Sequence, residues 1–509
     1  MSKEQRRAAD CHRLPSVPGF EVAVAGALRS HRAQVWSVKM SMRSAPTLQQ
    51  LAMHSLLSNP SLAISALEDV PVLLFPSLFL EAYLTESPEL ETLKAALDGL
   101  DLLVAKKDRP SRWKLHVLDL RSAYPNIWKR SYPHMMRVSC PDILPEEPTA
   151  RPGSEKPEEQ QPLMIVADLT IKDGPQDAFQ AYLLGWARKR KARVQLCCRQ
   201  LQILSPSTHQ IQKALRAVRP DSIRELVVNS FWHRETMKRF APSLSRMKNL
   251  ELLDFSKMSA HVYTSRSRNF WYSRKYAAHL GQLQRLQELR LHDVFFLRGQ
   301  LPAILRSQTP LKTLSLTACP LKEADLRFLS QCPCTRRLKH LRLRSLLMAD
   351  FSPEPLRALL EHVAGTLETL ALEDCAITDG QLSAILPALG RCSQLRFLSF
   401  YGNRISMATL HSLLSHTASL GRLSQGLYPA PLESFLPPDW CLGHIHPEAF
   451  AQVRARLAQA WRDSGTTQKL QICTDFCHRR HKGQFYSLGS DGYWVVTHEA
   501  LPALSALPV

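Results

Sequence analysis

Glycine is scarce in this chain, at 19 of 509 residues, against a usual share of roughly 7%. That argues against a nucleotide-binding enzyme built on Gly-rich phosphate loops. Enzyme signatures are missing as well. There is no G-x-S-x-G, no H-E-x-x-H and no Walker loop. A non-enzymatic role is therefore expected, with no catalytic residue, cofactor or metal implied. No run reaches the 18 or more apolar residues of a membrane helix. Aromatic residues make up 7% of the chain and form no visible stacking motif, which speaks against specific nucleic-acid recognition.

Other features are abundant. Lys and Arg number 65 against 45 acidic residues, a net charge of +20. Such a surface attracts nucleic acid, anionic lipid or acidic protein. The apolar fraction of 45% suits a globular core. Twelve cysteines fall at irregular spacings, several inside apolar runs such as "VQLCCRQL". Buried thiols behave as small apolar residues, so a reduced compartment, cytoplasmic or nuclear, is expected. Near the N-terminus a basic segment precedes a short apolar patch, superficially like a signal peptide. Pro15 and Pro18 precede that patch and Glu21 interrupts it, so residues 1–45 read as a basic, loosely structured extension.

Self-similarity sets the expected architecture. The pattern L-x-x-L-x-L recurs with some apolar substitution. It appears as "IRELVV" from Ile223, "LELLDF" from Leu250, "LQELRL" from Leu286, "LKTLSL" from Leu311, "LKHLRL" from Leu338, "LETLAL" from Leu367 and "LRFLSF" from Leu395. The last four spacings are 25, 27, 29 and 28 residues, inside the 20–29 window of leucine-rich repeats. Cys319, Cys375 and Asn403 occupy the N/C position of that repeat. There a side chain can bond backbone groups at the turn where the strand ends. In "ITDGQLSAILPAL", Leu382, Ile385, Leu386 and Leu389 share one helical face. Thr378 or Asp379 can cap that helix, and Pro387 should kink or shorten it.

Each unit thus reads as a strand plus a helix, and stacked units share a core. The predicted fold is α/β: a leucine-rich-repeat horseshoe over residues 111–435, with a parallel concave sheet, convex helices and an N-terminal helical cap over residues 46–110. Residues 436–509 read as a C-terminal cap and tail. "LHVLDL" from Leu115, "LMIVADLTI" from Leu163 and "VQLCCRQLQI" from Val194 look like irregular strands of the same series. Residues 140–162, with six prolines and five glutamates, read as a disordered loop.

Three shorter signals have both a sharp and a plain reading. "RKRKAR" at residues 188–193 resembles a nuclear import signal, but cations also suit a helix C-terminus. "ICTDFCHRRH" offers Cys473, Cys477, His478 and His481, ligand types that zinc takes. The adjacent Cys477 and His478 make a cramped set, which favours an ordinary basic tail. L-x-x-L-L occurs at residues 343–347, 356–360 and 410–414. Such helices dock in hydrophobic grooves, including those of nuclear receptors, yet here the same leucines should fill the repeat core.

"SLAISALEDVPVLLFPSLFLEA", residues 61–82, is different. Ser61 follows Asn59-Pro60 and can cap a helix. Leu62, Ala66 and Val70 are spaced by four and share a face. Pro71 ends or kinks that helix, after which Leu74 and Leu78 again share a face. The plain reading is a cap that shields the first repeat.

This stretch, together with "RPSRWKLHVLDLR", "RVQLCCRQLQI", "FFLRGQL", "SPEPLRALLE", "CSQLRFLSFYGNRIS" and "LYPAPLES", resembles the PRAME family of leucine-rich-repeat proteins. The resemblance runs in order from about Ser41 to Ser434. It implies a substrate receptor of a cullin-2 RING ubiquitin ligase that directs a protein substrate to proteasomal degradation. "SLAISALEDV" is similar to the BC-box helix that binds elongin C, through Ser61, Leu62 and Val70, with Ala66 where Cys is usual. "VPVLLFPSL" is similar to the cullin-2 box, through Val70, Pro71, Leu74 and Leu78. The implied partners are elongin C, cullin-2, a RING subunit and a protein substrate. The resemblance also allows a nuclear corepressor role in retinoic-acid-receptor signalling, with nuclear receptors or chromatin as partners.

Overall fold

Strand and helix alternate from Glu225 to Cys473 because apolar residues alternate at strand spacing and then recur at helical spacing. The computed structural model describes residues 117–121, 162–174, 177–258, 266–307, 309–435, 445–465, 468–474, 484–489 and 491–497. It also describes Ala52, Ser55, Lys94, Leu97 and Asp98. The chain divides after Leu100 into two units. Those five positions, all helical, represent the first unit.

In the second unit the early strands are β1 (Val117–Asp119), β2 (Leu163–Val166), β3 (Leu169–Ile171), β4 (Val194–Cys197), β5 (Gln200–Ile203) and β6 (Val218–Arg219). The regular series follows with β7 (Glu225–Asn229), β8 (Leu252–Met258), β9 (Glu288–Val294), β10 (Thr313–Thr317), β11 (His340–Arg344), β12 (Thr369–Glu373), β13 (Phe397–Ser399) and β14 (Gln425–Pro429). It closes with β15 (Lys469–Cys473), β16 (Phe485–Leu488) and β17 (Trp494–Thr497). The α-helices among the described residues are α1 (Ala178–Lys189), α2 (Thr208–Ala217), α3 (Arg234–Leu244), α4 (Arg266–Leu280), α5 (Leu301–Ile304), α6 (Glu323–Gln331), α7 (Glu354–Val363), α8 (Asp379–Leu389), α9 (Met407–Thr417) and α10 (Pro447–Asp463).

The α/β class and the parallel sheet are as expected. Thirteen strands form one sheet from β3 through β5 and then in chain order from β7 to β17. Every pair up to β15 is parallel, and β16 and β17 add an antiparallel edge. Strand pairing therefore continues past residue 435. A second parallel sheet, in the order β1-β2-β4-β6, was not expected. It arises because "LMIVADLTI" and "VQLCCRQLQI" each break into two strands that serve different sheets. Side chains satisfy backbone groups at the breaks. Asp168 accepts from Gln200 N–H at 2.9 Å, and Ser222 Oγ accepts from Cys198 N–H at 2.9 Å.

Registration stacks like residues on like. Leu226, Leu253, Leu289, Leu314, Leu341, Leu370 and Leu398 form one row across seven strands. Phe255, Leu291, Leu316, Leu343 and Leu372 form the second row. All are buried, each contributing about 1.5–3 kcal/mol of apolar transfer. The rows face the helices: Phe255 packs edge-to-face on Phe240 of α3 and Tyr276 of α4. The row then meets Gly426, where a Cβ would lie 2.5 Å from the Tyr428 ring. The ring fills the space that a leucine takes elsewhere.

Near the C-terminal end of each strand from β8 to β13 the chain enters the left-handed region, at Lys257, Asp293, Ala318, Ser345, Asp374 and Gly402. Only Gly402 does so without the cost of about 1 kcal/mol borne by other residues. The next residue in each unit (Met258, Val294, Cys319, Leu346, Cys375, Asn403) turns inward and is buried. Cys319 Sγ points to the carbonyls of Leu291 and Thr317, at 3.4 and 3.2 Å. Cys375 Sγ does the same to Leu343 and Glu373, at 3.2 Å each. The expected bonding role of the N/C position therefore holds, and half the units meet it with an apolar side chain instead.

Helix details follow the sequence. Thr378, not Asp379, caps α8: its Oγ1 accepts from Gln381 N–H at 3.3 Å, and Gln381 Oε1 accepts back from Thr378 N–H at 3.0 Å. Asp379 instead accepts from Ser406 N–H of the next unit, at 3.0 Å. Pro387 lies within α8, which ends two residues later. The shortest repeat spacing, 25 residues from Leu286, coincides with the four-residue α5. All eight described cysteines are buried, as their apolar settings implied. No helix among the described residues is long and apolar enough to cross a membrane.

Candidate functional site

The leucine rows commit the second and fourth residues of each strand to the core. The first, third and fifth residues project from the opposite face of the sheet. Pairing aligns them into rows as well. The third-position row reads Val227, Asp254, Arg290, Ser315, Arg342, Ala371, Ser399, Leu427 and Gln471. The leucine core does not dictate these residues, so those of them that stay accessible are available for recognition.

The face has two zones. Over β8 to β12 it is charged, with both signs interleaved. An Arg290 nitrogen lies 2.8 Å from Glu288 Oε2. Arg344 Nε lies 3.9 Å from Glu373 Oε2, and the Arg344 guanidinium sits 5.7 Å from the centre of the Tyr401 ring. His340 Nδ1 lies 3.1 Å from Thr369 Oγ1. Partial burial governs the protonation of this zone. It raises the Asp254 carboxyl, opposed by the Arg290 charge, and it lowers the Arg342 guanidinium. It also lowers His340, which favours the neutral imidazole. From β12 onward the zone turns apolar and closed. Ala371, Ser399, Leu427 and Gln471 are buried. Tyr401, Leu427 and Cys473 form an apolar cluster against which Phe485 packs.

Glu373 lies where the two zones meet and is only 3% exposed. Burial raises its carboxyl, and Ser399 and the two arginines only partly oppose that. A carboxyl raised on folding contributes stability below its unfolded value, near 4.5. That contribution is lost as pH rises through the folded value. Glu373→Gln is therefore expected to stabilise the protein at pH 7.5, by about 1–2 kcal/mol, and so to raise its thermal midpoint. The gain should shrink toward pH 4.5. Thermal melts across that range check it, and a pH-independent or negative change would contradict it.

The sequence-level sites fare differently. Ser61, Leu62, Ala66, Val70, Pro71, Leu74 and Leu78 lie outside the described residues. The L-x-x-L-L leucines are core as expected: Leu343, Leu346, Leu356, Leu359, Leu360, Leu410, Leu413 and Leu414 are buried, and only Leu347 is exposed. Of the zinc candidates, Cys473 is buried in β15 within the apolar cluster, and Cys477, His478 and His481 lie outside the described residues. No group of three metal-binding side chains occurs among the described residues. Residues 188–193 close α1 and the turn before β4, with the Arg190 guanidinium 4.8 Å from the centre of the Trp186 ring. Sequence reasoning did not single out the charged rows. Their signal was present, because Arg290 and Arg342 occupy the x of L-x-L in "LRLH" and "LRLR".

Comparison with known proteins decides the relationship. The family model of the PRAME C-terminal domain matches residues 163–493, and that of the PRAME N-terminal domain matches residues 45–87 and 83–128. The chain belongs to the PRAME family. It is 41% identical to human PRAME family member 12 over 470 residues, covering 86% of this chain and 95% of that protein. It is 39% identical to human PRAME family member 8 over 471 residues, covering 86% and 97%. With human PRAME family member 20 the identity is 38% over 479 residues, covering 89% and 99%. The PRAME C-terminal match takes in the whole charged face and extends past Ser434, where the sequence resemblance stopped, to include α10, β15 and β16. The PRAME N-terminal match includes residues 61–78, which carry the box-like motifs.

Proposed function

We propose that this PRAME-family chain is a non-enzymatic substrate-recognition subunit of a cullin-2 RING ubiquitin ligase. In this reading the second unit is a leucine-rich-repeat horseshoe and the charged face is its concave lining. Residues 61–78 recruit elongin C and cullin-2, with Leu62, Ala66 and Val70 forming the elongin face and Pro71, Leu74 and Leu78 the cullin face. The observation that carries the proposal is the in-register face itself: nine strands align side chains that the leucine core does not require. A patch carrying charges of both signs beside a closed apolar zone suits a folded or extended protein partner of matching pattern. The chemistry is proximity. Tethering raises the effective concentration of substrate lysines near the RING-bound conjugating enzyme, and none of these residues breaks or forms a bond.

Two face variants test this. Ser315→Trp blocks the centre of the face without changing its charge. Arg290→Gln with Arg344→Gln removes two of its cations. Each is expected to reduce the labelling of proteasome-sensitive neighbours at least about tenfold, the equivalent of 1.4 kcal/mol. Recovery of cullin-2 should be unchanged. Proximity labelling with and without proteasome inhibition reads both quantities. An unchanged set of neighbours in both variants would overturn the assignment of the face.

A further inference from the structure

The positive charge of this chain is not evenly spread. Residues 177–248 hold fifteen Lys and Arg against four Asp and Glu, so 72 residues carry eleven of the net twenty positive charges. Part of that excess lines a single cavity of about 320 Å³ on the helical side. Arg188 comes from the last turn of α1, His209, Lys213 and Arg216 from α2, and Arg239 from α3. No carboxylate is among the described residues that line it.

The geometry follows from the sequence of α2. His209, Lys213 and Arg216 are spaced i, i+4 and i+7 and share one face. Ile211, Ala214 and Leu215 are buried on the other. Polar contacts hold the walls together. Gln212 Nε2 donates to the Arg239 carbonyl at 3.3 Å. The Thr208 and Thr236 hydroxyls lie 2.7 Å apart, and Thr236 donates to the Pro206 carbonyl at 3.0 Å. The cations are thus carried on a braced frame.

The later helices of the same series differ. On α6 and α7, arginines are matched by carboxylates: Arg327 with Glu323, and Arg357 with Glu354 and Glu361. Arg391, just after α8, also reaches Glu361. None of the four cavity cations, Arg188, Lys213, Arg216 and Arg239, has such a partner among the described residues. Like charges held at helical spacing repel one another, and a polyanion in the cavity would reverse the sign of that interaction. Arginine forks suit phosphate oxygens in a bidentate manner, while lysine supplies a point charge. A cavity of this size fits a compact ligand. Cations drawn from three helices offer separate contacts to an anion that carries more than one phosphate. No aromatic residue is present among the described lining residues to stack a base.

We infer that this cavity binds a compact, multiply phosphorylated anion of the inositol-phosphate class, either free or as a lipid headgroup. Full-length protein is titrated with inositol hexakisphosphate by calorimetry at physiological salt. Lys213→Glu with Arg216→Glu is expected to weaken binding at least about 30-fold, consistent with the loss of one or two charge-assisted hydrogen bonds. Arg188→Gln with Arg239→Gln should act in the same direction, so that one misfolded variant does not decide the result. Circular dichroism confirms the fold of each. Lys312→Glu with Arg337→Glu, an equal charge change at exposed positions on other repeats, should leave affinity within about twofold if the site is local rather than a diffuse field. Vesicles containing phosphatidylinositol bisphosphate distinguish the lipid source from the free one, and binding to either supports the site. No binding to either probe, or equal weakening in the distant pair, would overturn it. A 20-base-pair duplex that binds more tightly than inositol hexakisphosphate and is lost in the same variants would overturn it in favour of nucleic acid.

Discussion

Asn403→Ala should lower the stability of the repeat unit by about 3–5 kcal/mol, among the largest single-residue effects available in this fold. Asn403 is fully buried and its amide is saturated. Oδ1 accepts from the N–H groups of Cys375 and Ile377, at 3.1 Å each. Nδ2 donates to the carbonyls of Leu372 and Phe400, at 2.7 Å each. The side chain thus ties its own turn to that of the preceding unit. Alanine leaves two donors and two acceptors without partners and opens a cavity. Each unsatisfied buried group costs about 1–3 kcal/mol, partly relieved if water enters. Cys375→Ala provides the internal comparison. It removes only a weak thiol donor and a small apolar volume, so its effect should be less than half as large. The measurement is the urea midpoint at unchanged slope. An Asn403→Ala protein within about 1 kcal/mol of wild type would show that the amide is not what joins the two turns.

Leu62→Asp combined with Pro71→Ala should abolish co-precipitation of elongin C and cullin-2, a loss on the order of 100-fold. In the proposed complex Leu62 enters an apolar groove on elongin C. A carboxylate there leaves water without a partner, which costs several kcal/mol, and about 2.7 kcal/mol already corresponds to 100-fold. In that complex Pro71 sets the break that the sequence pattern predicts between the two helical faces. Alanine at that position restores an N–H and frees φ, so Leu74 and Leu78 lose their set direction. Because Ala66 stands where the BC-box pattern has Cys, Ala66→Cys should strengthen elongin binding modestly by adding buried surface. The repeat unit should keep its thermal midpoint in all of these proteins. Equal recovery of both partners from wild type and from the double variant would end the ligase reading, whatever the face of the sheet binds.

Much of the fold was legible in the sequence because a repeat states the same constraint many times. The L-x-x-L-x-L pattern located β7 to β13, and the i, i+3, i+4, i+7 leucines located α8. The N/C position was recognised at Cys319, Cys375 and Asn403, where a polar side chain marks it. At Met258, Val294 and Leu346 the same inward turn carries an apolar residue, and nothing in the local pattern distinguishes that from ordinary core. The same redundancy accounts for the burial of the L-x-x-L-L leucines other than Leu347, since each of those also belongs to a core position of the repeat.

Sequence alone gave notice of the α/β class, the positions of the core leucines, the helix at α8 and the family resemblance, because periodicity and apolar transfer act locally and repeat. Tertiary structure decided the rest. Two early segments split between two sheets because Asp168 and Ser222 satisfy the backbone where the ladders break. Arg290, Arg342 and Glu373 share a face only because parallel pairing brings strands 25 or more residues apart into register. The four cations of the helical cavity likewise come from three helices whose packing no single stretch of sequence encodes. Charge and hydrogen bonding act through space between units, so their pattern appears only once the units are stacked.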